Sequence, residues 1–259
     1  MPTYQPFDWY ETPLFYDIVF DEDTHVEAGF LETMNERYGT GGRKLLEPAC
    51  GSGRLLHAMA ERGWAVTGFD LSPGMLRFAK QRLKDAGLRG RATTADMAAF
   101  DVGGGFDLAH CLVSTFKYLR TEDDARGNLE CVADALQPGG VYVLGLHICD
   151  YDEEGKSRER WVARRGRVEV TCNIQAWPAD RQARTEEVRS RLIVREGRRE
   201  TRYETSWTFR TYDFPQLQSL IRSVPAFEHV ATFDFNYLAD EPLPFDGGRY
   251  DNVLVLRKV

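Results

Sequence analysis

The sequence predicts an α/β protein: a doubly wound, seven-stranded sheet carrying an antiparallel β insertion after its fifth strand. Three observations lead there. Strand-like and helix-like segments alternate through the first 147 residues, the pattern of parallel strands joined by crossover helices. After Asp150 the periodicity of apolar residues changes to two, the mark of antiparallel strands. Beyond residue 210 a helix and two more strands follow, and they are expected to rejoin the main sheet. At 259 residues the chain has room for one to two domains. The expected division is a core at 1–149 with an N-terminal helical cover, an insertion at 150–210, and a completing segment at 211–259.

Taken in order, residues 13–38 place Phe15, Ile18, Val19, Val26, Phe30, Leu31 and Met34 at helical spacing. Gly39, Gly41 and Gly42 end that stretch. Lys44–Glu47 is a buried strand stopped by Pro48, and Leu55, Leu56 and Met59 give the next helix its apolar stripe. Ala65–Asp70 reads as a second strand. Ser72-Pro73 then opens a helix with an N-cap and a proline at its first position. A short strand at Ala92–Thr94 ends at Asp96, and Phe106–Leu112 is the fourth strand. A helix over Thr121–Leu136 closes at Pro138-Gly139-Gly140, and Val141–Leu146 is the fifth strand. The insertion reads as a three-stranded meander, Arg167–Trp177, Thr185–Arg195 and Glu200–Arg210, turning near Asp180 and Gly197. Phe214–Val224 is a helix, and Glu228–Phe235 and Asn252–Arg257 are the last strands.

Composition excludes several classes. The net charge is −7 and 42% of residues are hydrophobic, so the chain is globular and its surface as a whole is not built to grip nucleic acid. No run of 18 apolar residues exists, so no membrane span or membrane partner is expected. The opening Met1-Pro2-Thr3-Tyr4 has neither the basic nor the apolar region of a secretory signal. Five cysteines, odd in number and without a CxxC pair, argue against a zinc ribbon or a disulfide framework. A reducing, cytoplasmic setting is expected, and no metal site is read. Charge is uneven: residues 150–210 hold 15 Lys+Arg, of which 14 are arginine, against 12 Asp+Glu. That local balance of +3 leaves −10 on the remainder.

The first strand-loop-helix unit is a nucleotide site. Gly51 and Gly53 follow a strand and open a helix, so backbone can pass close to a ligand beside free N–H groups. Asp70 ends the second strand, where a carboxylate accepts hydrogen bonds from both hydroxyls of a ribose. The third glycine of a dinucleotide fingerprint is replaced by Leu56, and no GxxxxGK[ST] loop is present. The loop instead begins with an acid, Glu47, which repels a pyrophosphate and suits a ligand bearing an ammonium group.

Glu47-Pro48-Ala49-Cys50-Gly51-Ser52-Gly53 resembles motif I of the class I S-adenosylmethionine-dependent methyltransferases, with their Rossmann-like fold. The likeness continues through Asp70, Asp96-Met97, Phe106-Asp107-Leu108 and Leu136-Gln137-Pro138-Gly139-Gly140, covering about residues 14–148. It implies S-adenosylmethionine as cofactor. Gly51 and Gly53 would underlie the methionine moiety with Glu47 near that end, Asp70 and Leu71 at the ribose, and Asp96 and Met97 at the adenine. Ala49, Arg54 and Cys111 complete the implied cofactor set. Tyr16 resembles the N-terminal tyrosine that covers the cofactor in members acting on small molecules, with a catalytic role implied; a core aromatic is the competing reading.

Acceptor groups must lie at the C-terminal ends of strands four and five. Ser114, Thr115 and Lys117 follow the fourth strand and His147 the fifth. His147 is the candidate general base or substrate ligand, against the alternative of a histidine hydrogen-bonded to backbone. His110 inside strand four reads as structural. The stretch Ser114–Leu119 lacks the Pro-Pro-aromatic motif of enzymes that methylate adenine in nucleic acid. Trp177, Tyr203, Trp207 and Phe209 suit a lid over the acceptor, with Trp207 a substrate contact. The lid resembles the insertion of sugar-amine and glycine/sarcosine-type N-methyltransferases; a packing face or a homodimer contact is the other reading. Glu186/Glu187 and Arg189/Arg191 read as a solvated face of ion pairs, or as a dock for an anionic substrate such as a nucleotide-linked one. The expected function is methyl transfer to a small molecule, at nitrogen before oxygen. An RNA or protein acceptor docked on the arginine-rich insertion, or a non-catalytic cofactor-binding module, are the alternatives.

Overall fold

In the computed structural model the described residues are Thr3–Val259; Met1 and Pro2, which head the segment read for a signal, lie outside them. Seven strands form one sheet: β2 (Lys44–Pro48), β3 (Ala65–Asp70), β4 (Gly90–Thr94), β5 (Phe106–Cys111), β6 (Leu136–His147), β11 (Phe227–Phe233) and β12 (Asp251–Lys258). Their spatial order is β11-β12-β6-β5-β2-β3-β4. From β4 to β6 every pairing is parallel, and β12 and β11 add antiparallel. Strand order reverses between β2 and β5. At such a switch point the connecting loops diverge and leave a crevice at the strands' C-terminal ends.

Alternation along the central strands fills both faces. Leu45, Val143 and Val255 pack with α2 (Thr24–Tyr38) and α3 (Arg54–Glu61) on one side. Their neighbours Leu46, Leu144 and Leu256 pack with α5 (Glu122–Ala135) and α6 (Phe214–Arg222) on the other. Local signals fix the helix starts. Ser72 Oγ accepts from the Met75 amide at 3.2 Å, with Pro73 next, to start α4 (Pro73–Asp85). Reciprocal capping boxes start α5 (Thr121 with Asp124) and α6 (Asp213 with Gln216).

A second sheet stands over the crevice. Its strands β7 (Ser157–Arg165), β8 (Val168–Ala176), β9 (Thr185–Glu196) and β10 (Arg199–Arg210) form an antiparallel meander, and β1 (Gln5–Pro6) adds parallel to β10. The insertion therefore has four meander strands, one more than its sequence pattern predicts. Ser157–Arg165 escapes the period-two signal because it is an edge strand whose residues are all exposed or half-exposed.

The helical stretch expected at 13–38 is two helices, α1 (Pro13–Phe20) and α2, parted by Asp21–Asp23. The break lets α1 pack Ile18 and Val19 beneath Val170, Cys172, Leu192 and Val194 of the second sheet. The helix expected to close at Pro138 ends at Ala135, and β6 begins at once at Leu136.

Buried and half-buried ion pairs tie the two sheets together. Asp17 of α1 is fully buried and accepts from Ser52 Oγ (2.7 Å), from both guanidinium ends of Arg82 on α4 (2.7 and 2.6 Å), and from Arg165 of β7 (2.5 Å). Glu122 accepts from Arg184 at 2.9 Å and Arg210 at 2.6 Å. On the outer faces Arg191 bonds Glu204, and Arg195 bonds both Glu169 and Glu200. Much of the arginine excess is thus paired across strands. Among the described residues no helix is long and apolar enough to cross a membrane.

Candidate active site

The crevice between the sheets encloses a cavity of about 1340 Å³. Its floor is made by the C-terminal ends of parallel strands. After β2, Ala49 and Gly51 take left-handed conformations (φ 53° and 52°), which the tight loop requires. A side chain on Gly51 would meet the ring of Tyr16 at 3.6 Å. Gly53 is also left-handed, at the cap of α3, and a Cβ there would lie 2.7 Å from Ala79 Cβ. The first glycine thus lines the cavity, whereas the absent side chain of the second serves the contact between α3 and α4.

Asp70 ends β3. Its carboxylate accepts from the Gly51 amide at 2.9 Å and the Ser72 amide at 2.8 Å, which clasps the glycine loop to the strand end. Burial raises its pKa, against those amide bonds. Asp96 and Met97 after β4 line the same cavity, with Leu71 beside Asp70. Tyr16 packs on Phe20 (4.7 Å between ring centres) and edge-on to Trp9 (5.8 Å), over the loop. Burial holds its phenol protonated.

A small polar recess opens under the loop, lined by Glu47, Arg54, His110 and Cys111, and reached by Tyr16 and Ala49. Arg54 is taken up by Glu27, which accepts from both ends of its guanidinium, and by Thr24. Glu47 and His110 are buried side by side, Oε2 and Nε2 3.9 Å apart, and both atoms lack a partner among the described residues. Burial pushes the Glu47 carboxyl up to about 8 and the His110 imidazole down to about 3. Both are therefore neutral at neutral pH, and an incoming cation would find an acceptor in Glu47.

At the other end of the floor, His147 closes β6 directly opposite Asp251, which opens β12. His147 Nδ1 and Asp251 Oδ1 are 2.7 Å apart, and that bond is the first cause of the lowered pKa of Asp251. With Asp251 ionised, Nδ1 is the donor and Nε2 is left as an acceptor. The His147 amide donates to Ser114 Oγ at 3.1 Å. Ser114 and its neighbour Val113 are both left-handed non-glycines (φ 60° and 55°), a conformation costing about 1–3 kcal/mol each, and both line the cavity. Lys117 is buried and spent: its ammonium bonds Glu186 of β9 and lies 5.1 Å from the centre of the Phe209 ring.

The second sheet supplies the roof through Trp161, Trp177, Trp207 and Phe209. Trp207 and Phe209 lie edge to face at 5.8 Å, while Tyr203 on the same strand packs away on Phe7. Of the sequence candidates, Tyr16, Ala49, Gly51, Asp70, Leu71, Asp96, Met97, Ser114, Lys117, His147 and Trp207 meet around the cavity. Glu47, Arg54 and Cys111 line the recess beneath it. Sequence reasoning missed Asp251, Trp9 and Trp161, and it read Glu186 as part of a solvated face, whereas Glu186 lines the cavity and bonds Lys117. Only the expected pairing of the last strands with the main sheet hinted at Asp251, since an antiparallel neighbour of β6 starts where β6 ends.

Residues 45–140 match a family model described as a methyltransferase domain. One curated relative, the dTDP-3-amino-3,6-dideoxy-alpha-D-glucopyranose N,N-dimethyltransferase of Streptomyces fradiae, is 33% identical over 50% of this chain and 50% of its own length. Another, a ubiquinone biosynthesis O-methyltransferase of Pseudomonas aeruginosa, is 33% identical over 43% of this chain and 47% of its own. The chain thus spans about half the length of the curated relatives it matches. The sugar N-methyltransferase KedS8 of Streptoalloteichus superimposes over all of this chain and 95% of its own, with a TM-score of 0.74 at 19% identity. That likeness is one of fold, and it extends over both sheets.

Proposed function

We propose that the chain, whose residues 45–140 form a methyltransferase domain, transfers the methyl group of S-adenosylmethionine to the nitrogen of a small-molecule amine. The observation that carries this reading is a single cavity. It joins the glycine loop, Asp70 and Asp96 at one end to the His147–Asp251 pair at the other, under an aromatic roof.

The residues present fit the donor. Gly51 leaves its loop without a side chain, Asp70 offers a carboxylate to a ribose, and the partnerless Glu47 Oε2 suits the ammonium of the methionine end. Bound there, S-adenosylmethionine supplies a methyl already activated by a sulfonium. The protein's own task is then alignment and the handling of one proton. His147 Nε2, with Nδ1 engaged by Asp251, accepts the proton that an ammonium must lose before nitrogen can attack. Trp207 and Phe209 restrict the acceptor to small molecules by roofing the cavity.

Nitrogen is favoured over oxygen by the many carboxylates around the cavity, which attract a protonated amine. The test is incubation with S-adenosylmethionine and a set of small amines and phenols, read by mass spectrometry. Methylene increments on amines support the reading, whereas methylated phenols would move it to oxygen.

A further inference from the structure

We infer that the acceptor enters as a cationic, ring-bearing amine free of any nucleotide diphosphate; this rests on the methyltransferase reading of the same cavity. The juxtaposition is one of charge and aromatic surface. Ten carboxylates line the cavity, and the bases are Lys117, Arg120 and His147. Lys117 is already bonded to Glu186, and His147 to Asp251. Arg120 is the lone cation of the wall without a side-chain partner among the described residues.

Glu11, Asp150, Glu153 and Glu159 are exposed on the cavity wall, and none forms an ion pair among the described residues. A diphosphate would meet like charge there, which disfavours its association. Arg191 and Arg195 of the second sheet pair with glutamates, while Lys156 and Arg189 stand over the ring of Trp177, 5.3 and 5.1 Å from its centre.

Aromatic surface points to the rest of the ligand. Trp9, Trp161 and Trp207 line the cavity, and flat indole and phenyl faces suit both a ring and a cation. An amino sugar carried on a neutral aglycone has this combination.

The test uses the intact protein loaded with S-adenosylhomocysteine. Calorimetric binding of that product comes first, and its failure would end the methyltransferase reading itself. The loaded protein is then titrated with benzyltrimethylammonium and with dTDP, followed by the fluorescence of the cavity tryptophans. The cation is expected to saturate with a Kd at least tenfold below that of dTDP. The double substitution Glu153→Lys and Glu159→Lys, at two exposed positions, is expected to narrow or invert that ratio. Turnover is compared for methyl 3-amino-3,6-dideoxyglucoside and its dTDP-linked counterpart, with the glycoside expected to lead in kcat/KM. Tighter binding of dTDP, no saturable cation binding, an unchanged ratio in the double variant, or preference for the dTDP-linked amine would each overturn the inference.

Discussion

Under the proposed function, Glu47 would make cofactor binding a proton-releasing event. In the free protein burial holds its carboxyl at about 8, so at pH 6 it is almost wholly protonated. The ammonium of S-adenosylmethionine or S-adenosylhomocysteine is best met by the carboxylate, so the proton must leave. Ionising a group two pH units below its pKa costs about 3 kcal/mol, at 1.36 kcal/mol per unit. Affinity for S-adenosylhomocysteine should therefore rise roughly 50-fold from pH 6 to pH 8 by this linkage. Above pH 8 it should level off, because Glu47 is then itself largely ionised. Calorimetry at pH 6, 7 and 8, in two buffers of different ionisation enthalpy, reads both the affinity and the number of protons released. The expectation is close to one proton at pH 6, and a flattened profile in Glu47→Gln. Equal affinity at pH 6 and pH 8 with no proton released would refute the assignment of Glu47 to the ammonium. The sign for stability runs the other way: the folded protein holds this proton between the ordinary carboxyl range and pH 8, so Glu47 lowers stability as pH rises across that window. Glu47→Gln should therefore gain most, relative to the wild type, at pH 8.

Other expectations follow from the same geometry. Asp70→Ala should weaken S-adenosylhomocysteine by about 1.5–3 kcal/mol, the worth of hydrogen bonds to a charged group; unchanged affinity would remove Asp70 from the ribose. His147→Ala should lower kcat about 100-fold or more at neutral pH with cofactor affinity unaltered, and the loss should shrink as pH rises and the amine deprotonates unaided; a deficit constant with pH would make His147 a positioning residue only. Asp17→Ala leaves two arginines facing a buried void and should cost about 3–5 kcal/mol in urea denaturation; a loss under 1 kcal/mol would show that the hub adds little to the union of the two sheets. His110 is neutral when folded down to about 3, so it draws stability out of the protein as pH falls from the ordinary imidazole range toward that value. His110→Asn should flatten that acid limb, and an unaltered limb would assign it elsewhere.

The main sheet was legible because its signals are local. Period and capping residues mark each strand and helix near where they fall in the structure, from Leu45–Leu46 through the Ser72-Pro73 cap to the last strand. The glycine loop with Asp70 and Asp96-Met97 was legible for the same reason, as each motif sits at the end of its own strand. What the sequence concealed depends on tertiary pairing. Asp251 is an ordinary loop-end acid until β12 lies antiparallel to β6 and sets it opposite His147. Lys117 reads as a free substrate ligand, but the meander brings Glu186 onto it. Arg54 adjoins the glycine loop in sequence, yet Glu27 of α2 takes its guanidinium. Ser157–Arg165 was missed because an exposed edge strand has little need of alternation. Gly53 also answers to a packing demand that its motif does not reveal: its missing side chain makes room for Ala79.

The most direct test of the central claim is transfer of labelled methyl from S-adenosylmethionine by the purified protein into a cell extract separated by size. The account predicts label in the small-molecule fraction, on amines, and loss of that label in the His147→Ala protein at neutral pH. Label confined to RNA or protein, or none in any fraction, would contradict it.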